Sequence, residues 1–412
     1  MKKILPIVLT IGIVITGRLA IPMGSVSIPL EYIFSPGKAP DYIKTIIFNL
    51  RLPRIIMSLL IGMMLASSGA VVQTVFQNPL ADPYIIGIAA SATFGAVIAF
   101  VLNLPDFMYG VLAFITCLAS TLIIFKLAKK GNKVNVATLL IVGIAVSSFL
   151  GAFTSFAMYL IGEDSFKITM WMMGYLGNAT WKRVIFILIP LVLSLIYFYS
   201  KRHELDALLS GDEEAHSLGV DVNRLKVRTL TVSALIVAFS VAFSGMIGFV
   251  GLIVPHTIRM IVGPSNTKML PSTILAGGFF LLICDTFGRI VLAPVEIPIG
   301  VITAFFGAPF FLYLALKNKR RDFYIIKIFD LFGNITLAHS AGVERENFLF
   351  HTVCIAVVFA DYFGLVFAVS IPRNFDFKLS HLRFYRLFRV AVSVIFRLFA
   401  TFIIRRSFAF LI

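Results

Sequence analysis

The stretch that decides the fold is SGMIGFVGLIVPHTIR, residues 244–259, an apolar run interrupted by glycine and closed by proline, histidine and arginine. Burial in a bilayer would be satisfied by leucine, isoleucine and phenylalanine in any order, so the repeated glycines carry information beyond hydrophobicity. Glycine and proline in membrane segments indicate broken helices and close backbone approach, which need cover from protein or from a cavity. The stretch therefore predicts a tight turn between packed membrane helices.

The rest of the chain extends this interpretation. Of its 412 residues 59% are hydrophobic and 14% are charged, a composition typical of a polytopic membrane protein. A spanning helix needs about 20 apolar residues. Ten apolar segments fall near residues 4–20, 55–76, 84–104, 107–127, 136–161, 183–200, 229–247, 250–263, 272–293 and 300–316. We therefore predict an all-α, polytopic membrane protein with about ten transmembrane helices.

The net charge of +16 is better explained by topology than by nucleic-acid binding, because the basic residues lie mostly between the apolar segments. With Lys2 and Lys3 inside, alternation puts the strongest basic clusters inside as well. These clusters are residues 126–133, 201–228 and 317–321. The positive-inside rule then predicts a cytoplasmic N-terminus and a cytoplasmic region around residue 321.

The composition changes near residue 321. Lysine prevails over arginine before this point, whereas arginine prevails after it and phenylalanine becomes frequent. We divide the chain into a transmembrane domain, residues 1–321, and an Arg/Phe-rich tail, residues 322–412. The tail is interpreted as an appended extension without a role in the core; the alternative is an amphipathic segment on an anionic membrane surface.

A polar turn follows the second apolar segment. Pro79 and Pro83 prevent a continuous helix across Asn78–Asp82, so this segment should be a turn at the cytoplasmic end. Its polar groups could line or close a pathway. The alternative, that Asn78 and Asp82 only cap helix ends, stays open at this point.

A second polar segment, residues 204–221 (ELDALLSGDEEAHSLGVD), separates the sixth and seventh apolar segments. It is too long for a tight turn and suits short helices. The acidic cluster Asp212, Glu213 and Glu214 could pair with basic residues of a soluble partner. The plainer alternative is a solvated loop.

Charges also occur within the apolar segments near the C-terminal side. Asp285 and Arg289 are spaced i, i+4 and can pair along one helix face, with Glu296 close behind. Intramembrane charges are functional candidates, although a buried structural pair explains them nearly as well. His256 is interpreted as a hydrogen-bonded residue rather than a metal ligand.

Catalytic and metal-binding patterns are missing from the sequence. It contains no G-x-x-x-x-G-K-[ST] phosphate loop and no credible nucleophile with a base. Cys117, Cys284 and Cys354 lack metal-ligand spacing. We therefore predict a protein that is not an enzyme, with no cofactor and no metal site.

Six motifs, in this order, resemble the permease of type II ABC importers, the FecCD-type family that takes up ferric siderophores, haem and vitamin B12. They are RLPR (51–54), SGAVVQTVFQNPLADPYIIGI (68–88), WMMGYLGNATW (171–181), LLSGDEEAHSLGV (208–220), SGMIGFVGLIVPHTIR (244–259) and VEIPIGVITAFFGAPFFLYL (295–314). The resemblance covers about residues 1–321 and leaves out the tail.

The resemblance implies the type II ABC importer permease fold in the plasma (inner) membrane of a prokaryote. It implies a homodimer, or a pair of related permeases, surrounded by lipid. Two cytoplasmic ATPases and an extracytoplasmic substrate-binding protein would complete the transporter, which would need no nucleic acid. The substrate would be an iron chelate or a related tetrapyrrole, that is a ferric siderophore, haem or cobalamin, and ATP would be hydrolysed on the partner subunit.

Roles for individual residues also follow from the resemblance. Arg51, Arg54 and Arg289 would face outward and receive carboxylates of the binding protein. Asn78 and Leu80 would form the cytoplasmic gate, with a second gate segment loosely matched near residues 135–138. The positions that would couple to the ATPase are Leu205, Asp212, Glu213, Glu214, Ala215, Ser217, Leu218 and Gly219.

Two rival functions come from other classes. An ion-coupled secondary transporter would use Asp285, Arg289 and Glu296 as coupling charges. An intramembrane enzyme would use His256. The long polar segment at 204–221 argues against the first, and the lack of a second histidine or of paired catalytic carboxylates argues against the second.

Overall fold

The structure is a computed structural model that describes residues 4–317 apart from 25, 27, 30, 35–38, 131–132 and 135. The proposed tail, residues 322–412, lies outside the described residues, as do residue 321 and the first residue of the second gate segment. The division of the chain at residue 321 therefore stays a prediction.

Fifteen α-helices make up the described part of the chain. In chain order they are α1 (Leu5–Ala20), α2 (Glu31–Phe34), α3 (Asp41–Thr45), α4 (Leu52–Val75), α5 (Ile88–Val101), α6 (Phe107–Ala128), α7 (Val136–Ile161), α8 (Ser165–Met172), α9 (Trp181–Ser200), α10 (Arg202–Leu208), α11 (Asp212–Ser217), α12 (Val222–Ser244), α13 (Val250–Val262), α14 (Asn266–Ile290) and α15 (Ile299–Lys317). A π-helical turn, Ile46–Arg51, leads into α4, and 3₁₀ turns cover Pro83–Ile86 and Gly162–Asp164. A small hairpin of β1 (Lys129–Lys130) and β2 (Lys133–Val134) joins α6 to α7.

The all-α prediction is confirmed, with that hairpin as the exception among the described residues. Each of the ten predicted apolar segments coincides with a helix. Within the described part of the chain, six helical stretches are long and apolar enough to cross a membrane, and four shorter apolar helices, α1, α5, α13 and α15, fill the remaining positions. The short helices explain why a count of about ten is approximate.

The glycine-rich stretch of residues 244–259 breaks the chain between α12 and α13. Gly245 takes a left-handed backbone with φ of 69°, and a Cβ placed there would lie 2.1 Å from the carbonyl oxygen of Trp171. Only glycine fits such a position. Pro255, in contrast, lies inside α13 without ending it. The predicted turn is therefore made by the residues before Val250, and the proline does not contribute to it.

The central helix is α4, which is buried along almost all of its length. It runs antiparallel to α14, and the two backbones touch: a Cβ on Gly62 would lie 2.2 Å from the carbonyl oxygen of Gly277. Glycine allows this close approach, in which dispersion and weak Cα–H···O contacts replace side-chain packing. The two helices consequently form one tightly packed pair.

Two ends of the helical bundle carry the candidate sites. The arginine end holds the start of α4 and the end of α14, with Arg51, Arg54, Asp285, Arg289 and Glu296. The island end holds α10 and α11, which occupy most of the predicted polar segment 204–221. Residues 202–219 are called the island below. Thr74 near the end of α4 meets Asn266 at the start of α14 on this side, with 3.0 Å between Oγ1 and Oδ1.

Candidate functional site

Arg54 is the centre of the arginine end. Its Nε lies 2.9 Å from Oδ1 of Asp285, and its Nη1 lies 2.8 Å from Oε2 of Glu296. The guanidinium also lies 5.9 Å from the ring centre of Tyr175, within cation–π range. Asp285 is 1% exposed in its side chain, whereas Glu296 is 25% exposed. Arg54 therefore bridges a buried carboxylate and a partly exposed one.

The other two arginines bind the backbone that follows α1. Arg51 donates through its two Nη atoms to the carbonyl oxygens of Ile21 and Val26. Arg289 donates to the carbonyls of Ala20 at 3.4 Å and Met23 at 3.3 Å. Both side chains are buried. They fix the segment after α1 onto α4 and α14.

The predicted pair between Asp285 and Arg289 is present, with 3.2 Å between Oδ2 and Nε, although these two atoms do not meet hydrogen-bond geometry. Arg54 holds Asp285 more closely, and sequence spacing could not have indicated this partner because it lies 231 residues away. The cluster contains three guanidinium groups and two carboxylates. The docking role of the arginines stays a prediction. In the structure each of the three arginines already has partners within the chain.

The turn after α4 is held by its own polar groups. Oδ1 of Asn78 accepts a hydrogen bond from the backbone N–H of Leu80 at 2.9 Å, forming an Asx turn. Gln77 takes a left-handed backbone, and its Nε2 donates to the carbonyl of Leu208 in α10 at 2.9 Å. Asn78 is exposed and Leu80 is half-buried. The gate role of Asn78 and Leu80 stays a prediction; the turn itself, and its link to the island, are structural facts.

Asp82 caps the 3₁₀ turn beside it. Its Oδ1 accepts a hydrogen bond from the backbone N–H of Tyr84 at 2.8 Å. Burial raises the pKa of the Asp82 carboxyl to about 6, and the Tyr84 N–H opposes this rise by stabilising the anion. Asp82 therefore lies where the alternative interpretation put it, as a residue that caps a helix end.

The island consists of two short helices on a small apolar base. Leu205, Leu208 and Ala215 are fully buried beneath it. Lys226 of α12 holds α11 through Asp212, with 2.5 Å between Nζ and Oδ2. The predicted coupling residues that face outward are Asp212, Glu213, Glu214, Ser217, Leu218 and Gly219. Leu218 is 71% exposed, a large apolar side chain on an otherwise polar surface, as at the centre of many protein interfaces.

Sequence reasoning missed Asp206, which lies within the island. Its carboxylate accepts hydrogen bonds from the hydroxyls of Ser265 at 2.8 Å and Thr267 at 2.7 Å, and from the backbone N–H of Asn266. A capping aspartate is normally found next to its own helix in the sequence. This one lies about 60 residues upstream of α14, so no local pattern could have indicated it.

Metal-ligating clusters are not found among the described residues. Cys117 and Cys284 are free and buried, and each lies within a membrane helix. The arrangement of the described part therefore offers charged and polar surfaces at the two ends of the bundle, without a set of ligands for a metal in between.

Comparisons with known proteins agree on one family. The model of the FecCD transport family matches residues 11–317. The cobalamin import system permease protein BtuC of Halobacterium salinarum is 41% identical over 285 residues, which cover 68% of this chain and 76% of that protein. The hemin transport system permease protein HmuU of Yersinia pestis is 37% identical over 306 residues, which cover 73% and 91%.

Another similar protein is named for a different substrate. The molybdate import system permease protein MolB of Haemophilus influenzae is 33% identical over 323 residues, which cover 76% of this chain and 95% of that protein. A solved structure described as an inward-facing conformation of a metal-chelate type ABC transporter matches with a TM-score of 0.69 and 33% identity. It covers 77% of this chain and all of that one.

Proposed function

The chain belongs to the FecCD transport family and is the permease subunit of an ABC importer, and from this premise we propose that it carries an iron chelate inward. The chelate is a ferric siderophore or haem, and the alternative substrate is the related tetrapyrrole cobalamin. ATP hydrolysis on two copies of a partner ATPase drives the transport. A second permease, identical or related, completes the translocation pathway within the lipid bilayer.

The observation that carries this proposal is the pair of unlike surfaces at the two ends of one bundle. The island presents an acidic, outward-facing rim around the exposed Leu218, which suits a soluble basic partner. The arginine end carries one more guanidinium group than carboxylates, which suits an acidic partner. We assign the island to the cytoplasmic ATPase and the arginine end to the extracytoplasmic substrate-binding protein.

Arg54 is the docking arginine that an incoming carboxylate could reach with the least rearrangement, because its side chain keeps 12% exposure. Arg51 and Arg289, which are buried, would add to the positive charge that attracts the partner. Rim charges of this kind mainly govern the rate of docking and its salt dependence. Asn78 and Leu80, on the turn bonded to the island, are proposed to close the pathway on the cytoplasmic side.

The substrate is tested by reconstituting the permease in proteoliposomes with its ATPase and its binding protein. Labelled ferric siderophore, haem, cobalamin and molybdate are offered in turn, with and without ATP. We expect ATP-dependent uptake of an iron chelate or a tetrapyrrole. Uptake of molybdate alone would overturn the proposed substrate class, and uptake that needs no ATPase would favour the ion-coupled rival.

A structural observation weighs against that rival. An ion-coupled transporter would use the carboxylates Asp285 and Glu296, which already form ion pairs. Asp285 pairs with Arg54 and Arg289, and Glu296 pairs with Arg54. A coupling carboxylate must exchange its ion during each cycle. Two strong guanidinium partners on Asp285 would oppose such an exchange.

A further inference from the structure

Asp206 caps a helix that is not its own. It lies on α10 of the island, and its carboxylate binds the start of α14 through Ser265, Asn266 and Thr267. The first turn of a helix has backbone N–H groups without intrahelical partners and a partial positive charge, so an ionised carboxylate stabilises it. The island therefore holds the first turn of α14 by a charged, multidentate contact.

The same short helix also holds the end of α4. Gln77 donates from Nε2 to the carbonyl of Leu208, at 2.9 Å, and Thr74 of α4 meets Asn266 of α14. The ends of α4 and α14 are thus bound to α10 and to each other. A displacement of α10 would act on both helices.

Both helices lead directly to the arginine end. With 25 residues at 1.5 Å each, α14 is about 37 Å long. Asp285 and Arg289 lie near its far end, where Asp285 binds Arg54 of α4. Because Gly62 and Gly277 bring the two backbones into contact, no side chain separates the helices at this point, and such close packing transmits a displacement of one helix to the other.

We propose that Asp206 is the positioning residue that transmits movement of the island to the α4–α14 pair, and through it to the arginine end. This inference rests on the proposed function, because the island moves only if it receives the ATPase. Asp206 touches neither ATP nor substrate. Its role is to make the cytoplasmic and extracytoplasmic docking surfaces respond to each other.

The chain offers a matched control in Asp221. This residue is also an aspartate at the N-cap of a membrane helix on the same side, and its Oδ1 accepts from the backbone N–H of Arg224 at 3.0 Å. Its cap is local to α12 and joins no second element. Asp221→Ala therefore removes a helix cap without breaking a contact between two elements, and any loss that it shares with Asp206→Ala is the cost of uncapping a helix.

The experiment uses the reconstituted transporter with ATPase and binding protein. Basal ATPase activity, its stimulation by the binding protein and uptake of labelled ferric siderophore, haem and cobalamin are measured for wild type, Asp206→Ala, Asp206→Asn and Asp221→Ala. For Asp206→Ala we expect basal hydrolysis to persist while stimulation and uptake fall at least about fivefold, the lower range of allosteric coupling. Asp206→Asn keeps one acceptor oxygen, so its stimulation and uptake should lie between those of Asp206→Ala and those of wild type.

Hydrogen exchange of peptides covering residues 263–270 gives a readout independent of transport. Exchange should rise in Asp206→Ala and Asp206→Asn and stay at the wild-type rate in Asp221→Ala. If Asp206→Ala does not assemble, Asp206→Asn supplies both readouts. Equal stimulation and uptake in the Asp206 and Asp221 variants would overturn the inference and leave the proposed function standing. Failure of wild type to show ATP-dependent uptake would instead overturn the proposed function.

Discussion

At the scale of single residues, Asp285 is the anion on which the arginine end depends. It is buried and faces two guanidinium groups. We expect Asp285→Asn to lower the free energy of unfolding by about 3–5 kcal/mol, because it leaves two buried cations without their shared counter-charge. Thermal unfolding of the detergent-solubilised protein measures this loss. Glu296→Gln is the control, with an expected cost of about 1 kcal/mol or less for a more exposed ion pair.

Glu296 also allows the docking proposal to be tested without disturbing the buried charges. It accepts a hydrogen bond from Nη1 of Arg54, a donor that a carboxylate of the binding protein would need. We expect Glu296→Gln to strengthen docking and to make the affinity more sensitive to salt, because a competing internal carboxylate is removed. Affinity of the substrate-binding protein for the permease in nanodiscs, measured at low and high salt, checks this. Weaker docking would mean that the partner binds Glu296 itself.

The raised pKa of Asp82 should make the stability of the protein depend on pH. Its folded-state pKa of about 6 lies above its ordinary value of 3.8, so the neutral form is the one that folding favours. The stabilisation is complete below the ordinary pKa and is lost as the pH rises through about 6. We expect Asp82→Asn to be more stable than wild type at pH 7.5 and to lose this advantage by pH 4. Unfolding temperatures across this pH range measure the difference, and parallel curves would contradict it.

At the scale of elements, the glycines of α4 decide how closely the helices pack. A Cβ on Gly69 would lie 1.8 Å from the carbonyl oxygen of Gly251, which no real Cβ tolerates. Gly69→Ala should therefore separate α4 from α13 and cost about 1–3 kcal/mol or more. Gly151 of α7 is the matched control, because no atom lies within 4 Å of its added Cβ.

The control should respond with the opposite sign. Alanine has a helix propensity about 1 kcal/mol better than glycine, so Gly151→Ala should leave the unfolding temperature unchanged or raise it. Equal destabilisation of the Gly69 and Gly151 variants would show that close backbone contact does not explain the glycines of α4.

Most of the elements could be predicted from the sequence, since long apolar runs bounded by charge determine where a helix can cross a bilayer. The break after Ser244 was indicated by its glycines, although Pro255 was misleading because a proline inside a membrane helix can be accommodated by its neighbours. Contacts between distant residues could not be predicted. The Arg54–Asp285 pair and the Asp206 cap join residues 231 and about 60 positions apart, and only tertiary packing brings such residues together.

At the scale of the whole molecule, the exposed Leu218 predicts where a partner binds. Burial of a leucine side chain on binding can contribute about 2 kcal/mol, which corresponds to roughly 30-fold in affinity. We expect Leu218→Asp to weaken binding of the ATPase by about that factor, whereas Leu218→Met keeps the apolar contact and should bind within a few-fold of wild type. Co-purification and titration of the ATPase measure both variants. Equal affinity of the two variants would remove Leu218 from the interface.

The distance in sequence between Arg54 and Asp285 has a consequence for biosynthesis. After Arg54 the ribosome adds 231 residues to reach Asp285, which takes roughly 10–50 s at about 5–20 residues per second. Throughout that interval Arg54 must wait beside the membrane without the anion that it meets in the finished protein. Arg54 directly precedes the apolar segment of residues 55–76, a position from which the guanidinium can reach water and lipid headgroups during this interval. The position of this arginine at the edge of an apolar segment therefore also meets a requirement of the order in which the chain is made.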